Sequence, residues 1–205
     1  VAQHIVTGAF WNMGQNCSAI SRLIVHHAVK EALLERIAHH IQSWPVGDPL
    51  DPKVRLGALV SPAHFAKVTG FLTQADSILI GGGTHGPCVE ATVVDLASPD
   101  HPLARDEVFG PVLSVIPFDR EDDAVAMAND SIYGLAASVW TDDLNRACRV
   151  SDRLNVGTVS VNTVDALSAQ TPFGGMKQSG FGRDLSLHSF DKYTALKTTW
   201  IKYRA

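Results

Sequence analysis

Apolar positions along this chain follow two alternating periods, that of helices and that of strands. Apolar residues spaced three or four apart predict an amphipathic helix over 28–43, with Leu33 and Ile37 on its buried face. By the same reasoning we predict further helices over 1–10, 119–129, 142–154 and 185–193. Another helix is predicted to begin at Pro62, because proline is favoured at the first helical position. Short apolar, β-branched runs predict strands over 19–25, 77–80, 89–96, 112–118, 135–140 and 158–161.

This alternation predicts an α/β layered domain with a largely parallel sheet flanked by helices. We expect residues 1–193 to form that domain and residues 194–205 to form a tail. The segments 101–110 and 162–183 lack periodicity and are predicted to be loops. Apolar and polar residues alternate over 195–203, which predicts a C-terminal strand without a hairpin partner of its own. Such an edge invites pairing with another chain, so we expect a homo-oligomer.

Composition narrows the classes of function. The 205 residues are 45% hydrophobic and 19% charged, as in an ordinary globular protein. A net charge of −4 without a run of Lys or Arg predicts no nucleic-acid partner. No stretch of about 18 consecutive apolar residues is present, so no membrane span is expected. The three cysteines form no CxxC pair, which fits a reducing, cytoplasmic location.

Two glycine-rich stretches invite comparison with phosphate-binding motifs. Residues 81–86 formally match GxGxxG, but a β-type run follows where a dinucleotide-binding motif needs a helix, so we predict a hairpin-like turn. Residues 175–180 lack the Lys-Ser/Thr ending of a phosphate loop.

The adjacent histidine pairs at 26–27 and 39–40 are poor chelates because neighbouring side chains point to different faces. No metal site is therefore expected.

Cys17 is the main candidate for covalent chemistry. The helical run of residues 1–10 stops before Gly14, and Cys17 then stands at the head of the next element, with small residues after it. A helix N-terminus there would lower the thiol pKa, and the thiolate is the nucleophile. A backbone N–H at the same turn could hold an oxyanion. From position alone, a small buried hydrophobic Cys is the more common role.

Three segments resemble the aldehyde dehydrogenase superfamily. They are NMGQNC at 12–17 followed by Ser21-Arg22, EVFGPV at 107–112, and PFGGMKQSG at 172–180. They fall in the family's order at roughly its spacing. The resemblance is to the C-terminal catalytic domain, and it implies that the dinucleotide-binding domain and the general-base Glu precede this chain and are absent from it.

The resemblance also implies roles for individual residues. Cys17 would attack an aldehyde, a small-molecule substrate, to give a thiohemiacetal and then a thioester that water releases as a carboxylic acid. NAD or NADP would be the cofactor. Glu107 would hold the nicotinamide ribose, Phe109 would lie against the nicotinamide end, and the substrate channel would be lined by Asn16, Ser18, Leu167 and Phe173. Asn162 would lie near the site, although a turn-forming Asn is an equal alternative, and Lys177 and Arg183 are expected to be structural.

Other functions stay open at this point. The same fold could serve as a non-catalytic assembly or binding module that associates through the 195–203 edge. A thiol hydrolase would need a His beside Cys17. The segments 183–188 and 193–200 are similar to family members that act on ω-aminoaldehydes and their γ-glutamyl derivatives, and Asp165 could attract an amino group. We expect the isolated 205 residues to be inactive.

Overall fold

A computed structural model describes residues 1–96 and 98–204. The helices are α1 (Ala2–Phe10), α2 (His27–Ile41), α3 (Pro62–Leu72), α4 (Pro102–Arg105), α5 (Glu121–Asn129) and α6 (Leu144–Arg153). The strands are β1 (Arg22–His26), β2 (Ser77–Ile80), β3 (Thr84–His85), β4 (Cys88–Val89), β5 (Thr92–Asp95), β6 (Val112–Phe118), β7 (Tyr133–Gly134), β8 (Ala136–Val139), β9 (Thr158–Val161) and β10 (Met176–Lys177). Short 3-10 helices cover Trp11–Gly14 and Leu187–Lys192.

The main sheet has the strand order β1-β6-β5-β2. β6 is parallel to both β1 and β5, with Arg22 opposite Ser114 and Thr92 opposite Val112, while β2 runs antiparallel at the edge. The first five residues of β6 are buried, as expected for a central parallel strand covered on both faces. The prediction of an α/β fold with a largely parallel sheet is confirmed.

Helices cover the two faces of this sheet with separate apolar clusters. On one face α1 contributes Ile5 and Phe10, which are at most 2% exposed, beside Leu113 of β6. On the other face Val68 of α3 packs with Val112. Successive residues of a strand therefore pack into opposite clusters, as the two-residue period of a strand requires. α3 is well defined at its start, because the Ser61 side chain accepts a hydrogen bond from the backbone N–H of His64 (3.2 Å) and Pro62 occupies the first helical position.

A second, smaller parallel pair is formed by β8 and β9, with Ala136 opposite Thr158. β1 ends the main sheet, and β8 ends the smaller one. A groove of about 1250 Å³ lies between these two edge strands and is lined by all residues of both. Neither strand has another ladder partner on its groove side within residues 1–96 and 98–204.

Within residues 89–110, two segments differ from the prediction. The expected strand over 89–96 is divided, because the chain changes partners at Glu90-Ala91: β4 pairs with β3, whereas β5 pairs with β6 and β2. The expected loop over 101–110 contains α4, whose start is held by the His101 ring accepting from the backbone N–H of Leu103 (3.1 Å). Pro102 and this side-chain cap were the sequence signals for that short helix.

The glycine-rich stretch 81–86 forms no helix. It leads into the β3–β4 hairpin, so the predicted hairpin-like turn is confirmed. Gly81 has φ +72°, and a Cβ at this position would lie 2.2 Å from the Ala91 carbonyl oxygen, so only glycine fits. The glycine is required by close backbone approach and not by a ligand.

The C-terminal tail forms no strand within the described residues. Residues 194–204 are exposed and carry no assigned secondary structure, and Leu196 and Trp200 are at least 93% exposed. The predicted strand at 195–203 is therefore not formed by this chain alone, because no neighbouring strand supplies a ladder. Pairing with another chain stays a prediction.

Candidate active site

The turn that carries Cys17 has an unusual backbone. Asn12, Met13 and Gly14 all adopt left-handed conformations, with φ values of 52°, 56° and 66°. Two non-glycine residues in a row at positive φ are uncommon and costly, and they persist only where their surroundings hold them. We call residues 12–18 the nucleophile turn.

Cys17 does not stand at a helix N-terminus, so the expected helix-dipole activation of its thiol is wrong. The residue lies in an irregular turn closed by the backbone N–H of Ala19, which donates to the Asn16 carbonyl oxygen (3.0 Å), and the chain then enters β1. The element that follows the turn is a strand, as predicted over 19–25, although it begins at Arg22. In the structure the backbone N–H of Ile20 donates to the Gly8 oxygen (3.0 Å), and this contact directs the chain into the sheet.

The thiol of Cys17 is exposed. Its Sγ lies 3.9 Å from Oδ1 of Asn16, and the Asn16 side-chain amide donates to Oγ of Ser18 (3.2 Å). Within the described residues no histidine ring hydrogen-bonds to this sulfur, so the arrangement does not favour a thiol hydrolase. The alternative of a buried hydrophobic Cys does not apply to Cys17, whereas Cys88 is 7% exposed and fits it.

The second element is the loop of residues 106–111, which we call the 106–111 loop. Glu107 is exposed, and Phe109 is half-buried with φ +57°. Gly110 fits tightly against α3, since a Cβ there would lie 2.7 Å from a methyl group of Val68. The strained Phe109 backbone is thus followed by a residue whose size is restricted by packing.

One face of α3 holds this loop. Nζ of Lys67 donates to the Glu107 carbonyl oxygen (2.8 Å), and Nε2 of His64 donates to the Phe109 carbonyl oxygen (2.7 Å). Together with Val68 these residues occupy positions i, i+3 and i+4 of the helix and share one face. Because the bonds use backbone carbonyls, the Glu107 carboxylate is left available to a ligand.

The nucleophile turn and the 106–111 loop are in direct backbone contact. A Cβ on Gly14 would lie 2.2 Å from the Gly110 carbonyl oxygen. The Gln15 side chain also reaches across, accepting a hydrogen bond at Oε1 from the Val60 backbone N–H (2.9 Å), two residues before α3. Two segments that are about 90 residues apart in sequence are therefore joined at one place, as the predicted site requires.

The predicted channel residues divide into two groups. Ser18, Leu167 and Phe173 line the groove between β1 and β8, as does Asp165. Leu167 is 48% exposed, and Phe173 is fixed by a reciprocal pair of backbone hydrogen bonds with Asp184 (2.8 and 2.6 Å). Asn16 is absent from the lining of the groove and contacts Cys17 and Ser18 instead.

Three polar residues near the motifs serve the backbone. The Asn162 side chain donates to the Thr141 oxygen (2.9 Å) and accepts from the Thr141 N–H (3.0 Å), which favours its structural role. Nζ of Lys177 donates to the carbonyl oxygens of Asn129 and Ser131, and Arg183 donates to that of Gly175. These bonds agree with the structural roles expected for Lys177 and Arg183.

Arg22, which follows the nucleophile turn, anchors β1 to the end of α5. Its guanidinium donates to the carbonyl oxygens of Met127 and Ala128 (both 3.0 Å). Burial, and then the nearby charge of Arg105, lower the pKa of Arg22 from its usual value. The bonds satisfy carbonyls at a helix C-terminus, where a cation is favourable.

None of the helices within the described ranges has both the length and the apolar character needed to cross a membrane. Across residues 1–96 and 98–204 there is also no group of three or more His, Cys, Asp or Glu side chains placed to hold a metal ion.

Three residues that build this site, namely Gln15, His64 and Lys67, were not predicted from the sequence. Gln15 lies inside the NMGQNC segment, so its position was a signal, but its contact with Val60 spans 45 residues. His64 was one of nine histidines without a distinguishing pattern. The spacing of residues 64, 67 and 68 marks one helix face, but only the fold shows what that face touches.

Comparisons with known proteins agree with this geometry. A family model described as "Aldehyde dehydrogenase family" matches residues 1–199. The chain is 58% identical to the aminoacetaldehyde dehydrogenase of Pseudomonas aeruginosa, over 98% of this chain and 42% of that protein. Among solved structures, the γ-glutamyl-γ-aminobutyraldehyde dehydrogenase of Burkholderia cenocepacia superposes with a TM-score of 0.93 at 45% identity, covering 97% of this chain and 42% of that one.

A third relative was solved with a cofactor. The indole-3-acetaldehyde dehydrogenase AldA of P. syringae, a mutant in complex with NAD+ and IAA, superposes with a TM-score of 0.94 at 40% identity, covering 98% of this chain and 43% of that one. The chain thus spans less than half the length of the relatives it matches. With a family model covering nearly every residue and a shared fold, the chain belongs to the aldehyde dehydrogenase family.

Proposed function

We propose that this chain is the catalytic part of an NAD- or NADP-dependent aldehyde dehydrogenase that oxidises an aldehyde to a carboxylic acid, with Cys17 as the nucleophile. The observation that carries this proposal is the backbone contact between the nucleophile turn and the 106–111 loop at Gly14 and Gly110. Gly14 lies three residues before Cys17, and Gly110 directly follows Phe109, so this contact joins the two segments that carry the proposed site residues. Family membership makes aldehyde oxidation the chemistry to test first.

Cys17 supplies the covalent step. Its thiolate attacks the carbonyl carbon of the aldehyde, a carbon–sulfur bond forms, and the carbonyl oxygen becomes an oxyanion. The Cys17 backbone N–H has no acceptor among the described residues, so it is available to that oxyanion. Oxidation of this thiohemiacetal leaves a thioester on Cys17, and water releases the acid.

The 106–111 loop would hold the cofactor. The Glu107 carboxylate is exposed, and no side-chain hydrogen bond within the described chain occupies it; its two oxygens suit the hydroxyls of a ribose. Phe109 offers an apolar face beside them. When bound, NAD or NADP supplies hydride acceptance, a chemistry that no side chain can provide.

Activity should depend on a portion of polypeptide outside this chain. The relatives are more than twice as long, and the family resemblance assigns the dinucleotide-binding domain and the general base to the part that precedes the nucleophile. The open edges of β1 and β8 along one groove are consistent with further structure packing there. We expect the isolated 205 residues not to oxidise aldehydes with NAD, and robust turnover by them would refute this division.

The substrate class we propose is an aldehyde that carries an amino group or an amide derived from it, as in ω-aminoaldehydes. Two of the relatives described above have names of this class. Asp165 lines the same groove as Ser18, Leu167 and Phe173, and its carboxylate would favour a cationic substrate. Replacing Asp165 with Asn should raise KM for aminoaldehydes more than for a neutral aldehyde of equal length.

The first experiment is alkylation by iodoacetamide across pH, with products located by mass spectrometry. Cys148 is the matched control because it is also exposed, while Cys88 is the buried control. We expect Cys17 to react faster than Cys148 in the full-length protein, because a catalytic nucleophile is held where its sulfur is activated for attack. Equal rates at Cys17 and Cys148 in the full-length protein would contradict its role as nucleophile.

A second candidate function is assembly. The exposed apolar residues of the 194–204 tail favour pairing with another copy of the chain as a homo-oligomer. Removing residues 194–205 should lower the molar mass of the assembly in sedimentation while leaving Cys17 alkylation unchanged.

The three free thiols also fit the proposed cytoplasmic location, where disulfides are rare.

A further inference from the structure

Beyond the short 3-10 helix that ends at Gly14, the nucleophile turn belongs to no helix or strand, so other contacts must fix its orientation. The side chains of Asn16, Cys17 and Ser18 contact one another (3.9 and 3.2 Å) and anchor to no distant segment among the described residues. Gln15 is different, because its Oε1 accepts the Val60 backbone N–H at 2.9 Å. Among the side chains of residues 15–18, Gln15 is therefore the one that hydrogen-bonds to a distant segment of the described chain.

The rest of Gln15 is also held in place. Its backbone N–H donates to the Asn12 carbonyl oxygen (2.9 Å), and its own carbonyl oxygen accepts from the Asn12 side-chain amide (2.9 Å). Gly14, just before it, lies against the Gly110 carbonyl. Gln15 is therefore fixed at its backbone by the left-handed turn and at its side-chain end by the segment that leads into α3.

We propose that Gln15 is a positioning residue that aims the Cys17 thiol and backbone N–H at the carbonyl group of the substrate. This inference rests on the proposed role of Cys17 as nucleophile. The hydrogen bond to Val60 sets the angle at which the chain leaves the left-handed turn, two residues before the sulfur. Because carbonyl attack needs both the sulfur and an oxyanion donor in place, small rotations of this turn slow attack strongly.

The test uses an ester that acylates Cys17 without any cofactor. In the full-length protein the Cys17 thiolate attacks the carbonyl carbon of p-nitrophenyl acetate, a carbon–sulfur bond forms, the carbon–oxygen bond breaks, and p-nitrophenolate leaves as a coloured product. Iodoacetamide alkylation is measured in parallel, since displacement of iodide needs a thiolate but no oxyanion donor. Mass spectrometry locates both products at Cys17.

Three variants separate positioning from stability. Gln15→Leu keeps the side-chain bulk and removes the acceptor, whereas Gln15→Glu keeps an acceptor oxygen. Gln74→Leu is the matched control, because Gln74 also bonds a backbone group, donating to the Gly70 oxygen (3.0 Å), and it lies outside the site. Rates are compared at the high-pH plateau, where Cys17 is fully ionised, so that the added charge of Glu does not bias the result.

We expect Gln15→Leu to slow acylation by about tenfold while alkylation changes by less than about threefold. Gln15→Glu should restore acylation to within about threefold of the wild type, and Gln74→Leu should match the wild type. An acylation rate unchanged in Gln15→Leu, an equal loss with both reagents, or the same loss in Gln74→Leu would overturn the role of Gln15 alone. A wild-type protein that never acylates Cys17 would overturn the nucleophile assignment, and this inference with it.

Discussion

The central sheet and the nucleophile turn lie next to each other in the fold, and they are held by different forces. In the sheet, Val93, Leu113 and Val115 have no measurable exposure, and parallel ladders satisfy the backbone. In the turn, residues 12–14 are left-handed and Cys17 is exposed, and order comes from a few hydrogen bonds, one close glycine contact and the packing of Met13 against both apolar clusters. The residues of the sheet stabilise the fold, whereas the turn contains strained backbone and presents an exposed thiol.

The comparison predicts that stability and activity respond to different substitutions. Variants of exposed side chains in the turn should lose chemistry while the protein stays folded, and variants in the sheet should lose stability. Where the turn meets the 106–111 loop, at Gly14 and Gly110, both quantities should change together. A variant elsewhere that changed both would show that the coupling extends beyond this contact.

Cys17→Ser should abolish the function of the turn. In the full-length protein we expect aldehyde oxidation to fall by about 10⁴-fold or more, because a serine hydroxyl without a base is a far weaker nucleophile. The midpoint of thermal unfolding should stay within about 2 °C, since the side chain is exposed. Cys148→Ser is the control, and its activity should equal that of the wild type.

Leu113→Ala should reduce the stability of the sheet. The side chain is fully buried in β6, so its truncation leaves a cavity and should lower the free energy of unfolding by about 2–5 kcal/mol. Leu144→Ala, at a position that is 76% exposed, should change it by less than about 0.5 kcal/mol. Urea denaturation measures both, and similar losses in the two variants would contradict the assignment of the core.

Gly14→Ala tests the contact between the turn and the 106–111 loop. A methyl group would meet the Gly110 carbonyl oxygen at 2.2 Å on a residue with φ +66°, so we expect a loss of about 1–3 kcal/mol together with reduced Cys17 acylation. Gly70→Ala in α3 is the control, because nothing lies within 4 Å of its Cβ position. That change should stabilise the helix slightly, by up to about 1 kcal/mol.

Glu90→Gln should have the smallest effect and should depend on pH. A hydrogen bond from His85 is the main reason that the pKa of Glu90 lies below its usual value. The stabilisation is therefore present above the ordinary Glu pKa of about 4.3 and is lost as the pH falls through the lowered value. We expect a slightly lower unfolding temperature than the wild type near pH 6, and a difference that shrinks as the pH falls below the ordinary Glu pKa. A difference that grew on acidification would contradict this sign.

Much of the fold could be predicted from the sequence, because the spacing of the apolar residues that become buried is a local property of a strand or helix. The strands at 112–118 and 158–161 agree with the prediction at both ends. The division at Glu90-Ala91 could not be predicted, since both halves are β-branched and only the choice of partner separates them. The tail at 195–203 alternates like a strand but has no ladder in this chain, and a strand needs a neighbour as well as a pattern.

The sequence alone determined the alternation of helices and strands, the candidate nucleophile Cys17 and, through three short segments, the family resemblance. Tertiary contacts, by contrast, place Cys17 in an irregular turn after the left-handed residues 12–14 and not at a helix N-terminus. They also join Gln15 to Val60 and let His64 and Lys67 hold the 106–111 loop. The difference follows from the distance in sequence over which each kind of interaction acts. Periodicity and propensity act over a few residues, whereas the backbone approach of Gly14 to Gly110 depends on how a complete α/β layer brings distant segments together.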